Sequence, residues 1–208
     1  MTDLSDKPIK VILVGDQGVG KTNLINVSIG LMFNDKEETT ISSSFVIKKI
    51  KINDKTYSLQ LWDTIGQEKY KHLTKLFFKE SKIVILVYDK SHQETFKKID
   101  FWFNEIKVVL NTDDIVLGIA ANKDDIDPND DDVNEEKARE YAKSINARFK
   151  LTSAKINANG FDNFLRELLI DYIKKFGGIV QEDDKRISLR KSHKKHKKHK
   201  FLKCLNKK

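Results

Sequence analysis

The apolar positions of this chain follow two spacings that alternate along its length. Short runs rich in Val, Ile and Phe, bounded by polar or turn residues, predict six strands at Ile9–Val14, Phe45–Ile52, Tyr57–Trp62, Ile83–Tyr88, Ile115–Ala120 and Ala147–Leu151. Segments with helical spacing predict helices at Lys21–Phe33, Lys71–Glu80, Gln93–Leu110, Asn134–Ile145 and Phe161–Phe176. Strands that alternate with helices are typical of a parallel sheet covered on both faces, and Phe45–Trp62 predicts a hairpin at one edge. We therefore expect a doubly wound α/β fold with a six-stranded, mostly parallel sheet.

The charge of the chain separates a folded part from a tail. Apolar periodicity stops at Gly177 and Gly178, a pair typical of a helix end. Residues 185–208 hold 12 of the 39 Lys and Arg residues and no Asp or Glu, so the rest of the chain, with 27 basic and 31 acidic residues, is mildly acidic. A segment so polar and self-repelling does not fold alone. We expect an N-terminal extension over residues 1–8, a folded domain over 9–178 and a flexible polybasic tail over 179–208.

Length and composition exclude several classes of protein. The 208 residues suit one domain with a tail, and the 39% of hydrophobic residues is ordinary for a globular protein. The longest apolar runs, such as Ile83–Tyr88, fall well short of the roughly 20 residues that a membrane-spanning helix needs. The N-terminus lacks the features of a signal peptide, and Cys204 is the only cysteine, so no internal disulfide can form. We therefore expect a cytoplasmic protein.

The first candidate site follows the first strand directly. Residues 15–22 read Gly-Asp-Gln-Gly-Val-Gly-Lys-Thr, which fits the phosphate-loop pattern G-x-x-x-x-G-K-S/T between a strand and a helix. The glycines let the backbone and the helix N-terminus approach phosphate oxygens. Lys21 is placed to reach the β- and γ-phosphates, and the Thr22 hydroxyl to bind Mg²⁺. The candidate nucleotide contacts in this loop are Gln17, Gly18, Val19, Gly20, Lys21, Thr22 and Asn23.

A second motif, Asp63–Gln67, follows the third predicted strand. It places the Asp63 carboxylate where it can hold Mg²⁺, and the backbone N–H of Gly66 where it can meet a γ-phosphate. The carboxyl ends of neighbouring parallel strands meet at one edge of a sheet, so this motif and the phosphate loop are expected to share one site.

Two further motifs indicate which base is bound. The Asp124 carboxylate of Asn122-Lys123-Asp124 can accept hydrogen bonds from guanine N1–H and the 2-amino group, a donor pair that adenine lacks. In Ser153-Ala154-Lys155, the backbone N–H of Ala154 can donate to guanine O6. The two motifs follow the fifth and sixth predicted strands and favour GTP and GDP over adenine nucleotides.

These motifs, in this order, make the chain resemble a small GTPase of the Ras superfamily, most like the Rab family, over residues 9–176. The Rab likeness rests on the segments Leu59–Glu68, Lys69–Thr74 and Ile85–Asp89. The resemblance implies that Thr40 binds Mg²⁺ beside GTP, that Phe33 lies against the guanine and that Gln67 orients the attacking water, with Lys21 stabilising charge on the phosphates. It also implies an effector surface formed by the aromatic residues Phe45, Trp62 and Phe77.

The chain departs from the Rab pattern around the nucleotide. Gln17 stands where the superfamily usually has Gly or a small residue, and Ile65 replaces the usual Ala, so we expect slow hydrolysis unless both side chains turn outward. The segment Asn34–Ser44, which contains Thr40, corresponds to the first switch of the family. Glu37 and Ser42-Ser43-Ser44 differ from the residues usual in this switch, which indicates a divergent Rab with unusual effectors.

The end of the chain offers one candidate for lipid attachment. Cys204 is followed by Leu-Asn-Lys-Lys, which matches neither the paired cysteines usual in Rab tails nor a C-a-a-X box. If Cys204 is prenylated, the basic tail supplies the second membrane signal that one lipid chain needs. The same charge suits any polyanion, but we favour an anionic membrane over nucleic acid.

The sequence therefore predicts a monomeric GTP/GDP switch of vesicle trafficking, attached peripherally to the cytosolic face of membranes. Its partners would be effectors, exchange factors and GTPase-activating proteins. A hydrolysis-impaired GTP-binding scaffold and a Ras-superfamily switch outside vesicle traffic stay open as alternatives. A metabolic kinase is disfavoured, since we identify no acceptor site or lid segment.

Overall fold

The computed structural model describes residues 4, 7–36, 40, 44–64, 76–128 and 130–177. Several predicted features lie outside this range: residues 37, 42, 43 and 65 with their proposed effects, Gly66, Gln67, and the tail with Cys204. The proposed boundaries at residues 8 and 178 stay predictions. Among the described helices, none is both long and apolar enough to cross a membrane.

Six strands form one sheet, as the hydrophobic pattern predicts: β1 (Ile9–Val14), β2 (Ser44–Ile52), β3 (Lys55–Asp63), β4 (Ile83–Asp89), β5 (Val116–Asn122) and β6 (Ala147–Leu151). Their order across the sheet is β2-β3-β1-β4-β5-β6. All neighbouring pairs are parallel except β2 and β3, which form the antiparallel edge hairpin. Every residue of β4 and β5 is buried, which explains their unbroken apolar runs.

Four helices are described in full and cover both faces of the sheet: α1 (Lys21–Ser28), α2 (Gln93–Val109), α3 (Glu135–Ser144) and α4 (Ala158–Phe176). On one face, Leu86 of β4 belongs to the same apolar cluster as Trp102 of α2 and Ala138 of α3. On the other face, an added Cβ at Gly118 of β5 would lie within 3 Å of Phe164 and Leu168 of α4, so the glycine lets this helix pack closely. The expected α/β fold is confirmed.

The helix after β1 is shorter than its periodicity predicts. It ends at Ser28, not at Phe33, because the chain turns through the left-handed conformation of Gly30 at φ 88°. The N–H groups of Gly30 and Leu31 bond back to the carbonyls of Val27 and Asn26, which satisfies the helix end. Residues 31–34 then run without regular secondary structure. The predicted extension of this helix through Leu31 to Phe33 is therefore wrong.

The boundaries of two other helices also differ from expectation. Of the predicted helix Lys71–Glu80, the described part is helical only over residues 76–78, and Glu80 adopts a positive φ of 63°. Helix α4 begins at Ala158, three residues before the predicted start at Phe161. The Asn157 side chain accepts a hydrogen bond from the Gly160 N–H at 2.8 Å and so caps the earlier start.

Candidate nucleotide-binding site

A cleft of about 430 Å³ opens at the carboxyl ends of the strands. It is lined by twelve of the residues predicted from sequence, namely Gln17, Gly18, Gly20, Lys21, Thr22, Asn23, Phe33, Thr40, Asn122, Lys123, Ala154 and Lys155. Val19 and Ser153 are buried beside it. The structure thus brings the phosphate-loop and base motifs together in one cavity, as expected for the switch point of an α/β sheet.

The phosphate loop needs glycine at two points for steric reasons. An added Cβ at Gly15 would lie 2.1 Å from the Val87 carbonyl oxygen, so the loop can pass β4 only without a side chain. Gly20 has a φ of 92°, and a Cβ there would lie 2.4 Å from Asn122 Nδ2. That same Asn122 amide donates to the Val19 carbonyl at 2.8 Å. The phosphate loop is therefore fastened to the end of β5.

Lys21 is held inside the loop by backbone carbonyls. Its Nζ donates to Gly15 O at 2.9 Å and to Asp16 O at 2.8 Å, and the residue is 6% exposed. Burial lowers the pKa of Lys21 from 10.5 to about 8, while the charges of Asp63 and Asp16 act in the opposite direction. A cation with little hydration is thus present where phosphate oxygens would enter.

Three oxygen-bearing side chains meet at the same end of the cleft. Thr22 Oγ1 donates to Asp63 Oδ2 at 2.7 Å and lies 2.9 Å from Thr40 Oγ1, and Thr40 Oγ1 lies 3.3 Å from the same carboxylate oxygen. Adjacent ligands of an octahedral Mg²⁺ lie about 2.9 Å apart, given metal–oxygen distances of about 2.0–2.1 Å. The hydroxyls and the carboxylate therefore have the spacing and the chemistry that Mg²⁺ requires.

The aspartate beside the base end of the cleft is not the predicted Asp124. Asp124 does not line the cleft; its Oδ1 lies 2.6 Å from Lys90 Nζ, and this hydrogen bond raises the pKa of Lys90. Asp125 lines the cleft instead, and its Oδ1 accepts a hydrogen bond from Ser153 Oγ. The chain makes a left-handed turn at Lys123, with φ 63°, and the next two carboxylates then meet different partners, Lys90 and Ser153. The motif therefore lies at the cleft as predicted, but Asp125, and not Asp124, is the aspartate that lines it.

The base end of the cleft is bounded by Phe33 and Lys155. Lys155 Nζ lies 5.9 Å from the centre of the Phe33 ring and 3.7 Å from Asp35 Oδ1. Ser153 Oγ accepts from the N–H groups of Lys155 and Ile156 at 3.2 and 3.1 Å, which shapes the turn that presents Ala154. The cleft residues that sequence reasoning did not assign to the site are Asn34, Asp35, Thr64, Asp125 and Ile126.

Asp89, which the sequence analysis did not assign to the site, forms an ion pair with Lys123. Asp89 is 4% exposed and its Oδ2 lies 2.7 Å from Lys123 Nζ, while its Oδ1 accepts from the N–H and hydroxyl of Ser91. An acidic residue that ends an apolar strand is the signal that could have indicated it. The Lys123 side chain is therefore held in a defined orientation beside the cleft.

The three predicted surface aromatics come together beside the β2–β3 hairpin. The rings of Phe45 and Trp62 stack with centres 4.8 Å apart, and Trp62 and Phe77 lie 6.0 Å apart. Phe45 is 47% exposed, and Lys10 Nζ lies 4.5 Å from the Trp62 ring centre. The structure thus places the triad on one contiguous surface.

Comparison with known proteins agrees with this geometry. The family model described as "Ras family" matches residues 10–173. Ras-related protein Rab-21 of Mus musculus is 36% identical over 176 residues, covering 85% of this chain and 76% of that protein. Rab-21 of Geodia cydonium is 39% identical over 80% of this chain and 69% of its own length, and RABG3b of Arabidopsis thaliana 40% identical over 76% and 80%. The chain therefore belongs to the Ras family, as a divergent Rab-like small GTPase.

Proposed function

We propose that this GTPase is a GTP/GDP switch that binds guanine nucleotide together with Mg²⁺ and hydrolyses GTP slowly. The observation that supports it best is the division of one cleft into two chemically different ends. Lys21, Thr22 and Asp63 gather at the phosphate end, and Asp125 and Ala154 stand at the base end. An extended ligand with an anionic and a hydrogen-bonding end suits this arrangement.

Recognition of guanine is assigned to Asp125. Its carboxylate would accept from guanine N1–H and the 2-amino group, while the Ala154 N–H would donate to O6. Adenine lacks the matching donors, so the carboxylate would stay unpaired with an adenine nucleotide. Phe33 and the aliphatic part of Lys123 would flank the plane of the base. The hydrogen bond from Ser153 fixes the orientation of Asp125 in advance.

Thr22, Thr40 and Asp63 would hold the Mg²⁺. When bound, the ion neutralises charge on the β- and γ-phosphates. Thr40 is the informative member of this set, because its neighbours 37–39 and 41–43 lie in the segment expected to form the first switch. A hydroxyl that ligates only beside a γ-phosphate would bias that segment between two arrangements, which is the basis of a switch.

Hydrolysis would require Gln67 to orient a water and Lys21 to stabilise charge on the transferring phosphoryl group. Two features support slow turnover. Gln17, within the phosphate loop, is exposed and lines the cleft, and no arginine of the described segments lines the cleft. An activating protein would supply the arginine that accelerates such reactions.

The Rab-named relatives favour a role in vesicle trafficking. The surface formed by the exposed Phe45 and the half-buried Trp62 and Phe77 would bind effectors, because clustered aromatics are typical of interface hot spots. The polybasic tail, with Cys204 as a lipidation candidate, would attach the monomer to the cytosolic face of an anionic membrane.

The proposal is tested by the nucleotide content of the purified protein, followed by single-turnover hydrolysis of loaded GTP with and without Mg²⁺. We expect GDP to be recovered and hydrolysis to be slow and dependent on Mg²⁺. The Lys21→Ala variant should bind nucleotide poorly and serves as the control. Recovery of GTP with no turnover would indicate a GTP-binding scaffold instead. Recovery of an adenine nucleotide would overturn the assignment of Asp125.

A further inference from the structure

The side-chain amide of Asn23 makes two hydrogen bonds to the backbone of Asn34. Asn23 Nδ2 donates to Asn34 O at 2.9 Å, and Asn34 N donates to Asn23 Oδ1 at 3.0 Å. Asn23 is only 8% exposed. The NH₂ group and the oxygen of the Asn23 amide therefore both bond to the backbone of Asn34, as the backbone of a neighbouring β-strand would.

This contact joins the helix turn at the phosphate end of the cleft to the irregular segment at its base end. Asn23 lies in the first turn of α1, next to Lys21 and Thr22, whereas Asn34 directly follows Phe33 at the base end. Between them the helix ends at Ser28, and residues 31–34 have no regular structure. The fixed position of Phe33 thus depends on contacts made by side chains.

The contact made by Asn23 is better protected than the ion pair that Lys155 makes with this segment. On the opposite side of the cleft, Lys155 lies 3.7 Å from Asp35, but their side chains are 53% and 72% exposed, and exposed ion pairs of this kind stabilise little. The flanking Met32 is 90% exposed, so its packing adds little to this segment. The Asn23 amide is therefore a buried restraint on residues 33–35, next to an ion pair that is open to solvent.

We propose that Asn23 is a positioning residue that sets the rate of nucleotide release by holding Phe33 against the base. The proposal rests on the guanine-nucleotide function proposed above. A bound base would leave the cleft only after residues 33–35 move outward, and that movement must break both hydrogen bonds to Asn23. A protein that displaces residues 33–35 would break these two hydrogen bonds and loosen the base, while Lys21 and Thr22 stay in place on α1.

The test is the dissociation rate of a fluorescent GDP analogue, measured by chase with excess GDP. Asn23→Ala should accelerate release on the order of ten-fold, which corresponds to the loss of two partly buried hydrogen bonds. Asn23→Leu, which keeps the volume but not the polar atoms, should do the same. Asn26→Ala, one turn further along α1, is the matched control and should leave release unchanged.

A double variant separates positioning from a merely structural effect. If Asn23 acts through Phe33, then Asn23→Ala should add less than about two-fold in a Phe33→Ala background, because the two changes remove one restraint. Multiplicative effects would overturn the proposal, as would a release rate of Asn23→Ala within two-fold of the wild type. Failure of the wild type itself to bind GDP would instead contradict the proposed function.

Discussion

Lys90 and Asp124 form an ion pair, with 2.6 Å between Nζ and Oδ1, that turns the Asp124 carboxylate away from the cleft. The residues just before them form a second ion pair, in which the acid and the base have exchanged places: Asp89 Oδ2 lies 2.7 Å from Lys123 Nζ. The ends of β4 and β5 are thus joined by two ion pairs in succession. With Lys123 and Asp124 engaged in this way, Asp125 is the residue that faces the cleft.

Exchange of the Asp125 carboxylate for an amide should change the base preference. In Asp125→Asn, the amide cannot accept both guanine donors, so GDP affinity should fall about 100-fold. Xanthine carries a carbonyl oxygen in place of the 2-amino group, to which the new amide N–H can donate, so XDP affinity should rise. Both affinities are measured by fluorescence titration.

Asp124→Asn is the matched control for this experiment, because it removes the neighbouring carboxylate. Its ion pair with Lys90 is partly exposed, so GDP affinity should change less than about three-fold. A larger loss of GDP affinity in Asp124→Asn than in Asp125→Asn would reverse our assignment.

Lys21 should give the nucleotide-free protein a characteristic pH dependence. The pKa of Lys21 is about 8 in the folded protein against 10.5 ordinarily, so between these values the unfolded chain binds a proton that the folded protein does not. The Lys21 contribution to the free energy of unfolding should therefore rise as the pH increases from 8 to 10, by about 1–3 kcal/mol. Denaturant unfolding of the wild type and of Lys21→Met at each pH isolates this contribution. A difference between the two proteins that is constant with pH would contradict the lowered pKa of Lys21.

The ion pair between Asp16 and Lys98 should favour binding of phosphate. Asp16 Oδ2 lies 2.9 Å from Lys98 Nζ, which connects the phosphate loop to α2. Lys98→Ala leaves the Asp16 charge less compensated near the incoming phosphates, so GTP affinity should fall about three- to five-fold, and more than GDP affinity. Lys97→Ala, which removes an exposed lysine beside it, is the control. The double change Asp16→Asn with Lys98→Ala should restore affinity; if it does not, the effect is not electrostatic.

Smaller side chains near the γ-phosphate should accelerate hydrolysis. Gln17→Gly removes a long side chain that lines the cleft, and Ile65→Ala restores the small residue expected there. We expect single-turnover GTP hydrolysis to be several-fold faster in each, because the water and Gln67 gain room to align. Wild-type turnover as fast as that of both variants would show that neither residue restricts it.

The polybasic tail should bind anionic membranes through charge. Each Lys or Arg near such a surface contributes about 1 kcal/mol, so the unlipidated chain should bind phosphatidylserine vesicles and be released by salt. Deletion of residues 185–208 removes all 12 of these charges and should abolish the binding. The experiment is vesicle co-sedimentation across a salt series, with RNA as the competing polyanion. Undiminished binding after the deletion, or a stronger preference for RNA, would contradict a membrane role for the tail.

Much of this protein is determined by short-range features of its sequence. Alternating strand and helix periodicities sufficed for the six strands and their parallel arrangement, because strands buried on both faces must be apolar throughout, as in β4 and β5. The phosphate loop was equally predictable, since glycine spacing and the lysine after it are requirements of backbone geometry and charge. These features depend on neighbouring residues, which a sequence displays directly.

The tertiary structure alone decided which way individual side chains face. The choice of Asp125 over Asp124 depends on the positive φ of Lys123 and on an ion pair with Lys90, 34 residues away. The early end of α1 and the grip of Asn23 on Asn34 likewise arise where the chain turns back on itself. Periodicity reports the average environment of a segment, whereas the direction of one side chain in a loop is set by partners distant in sequence. The sequence therefore located the site, and the packing of its loops selected the residues that face a ligand.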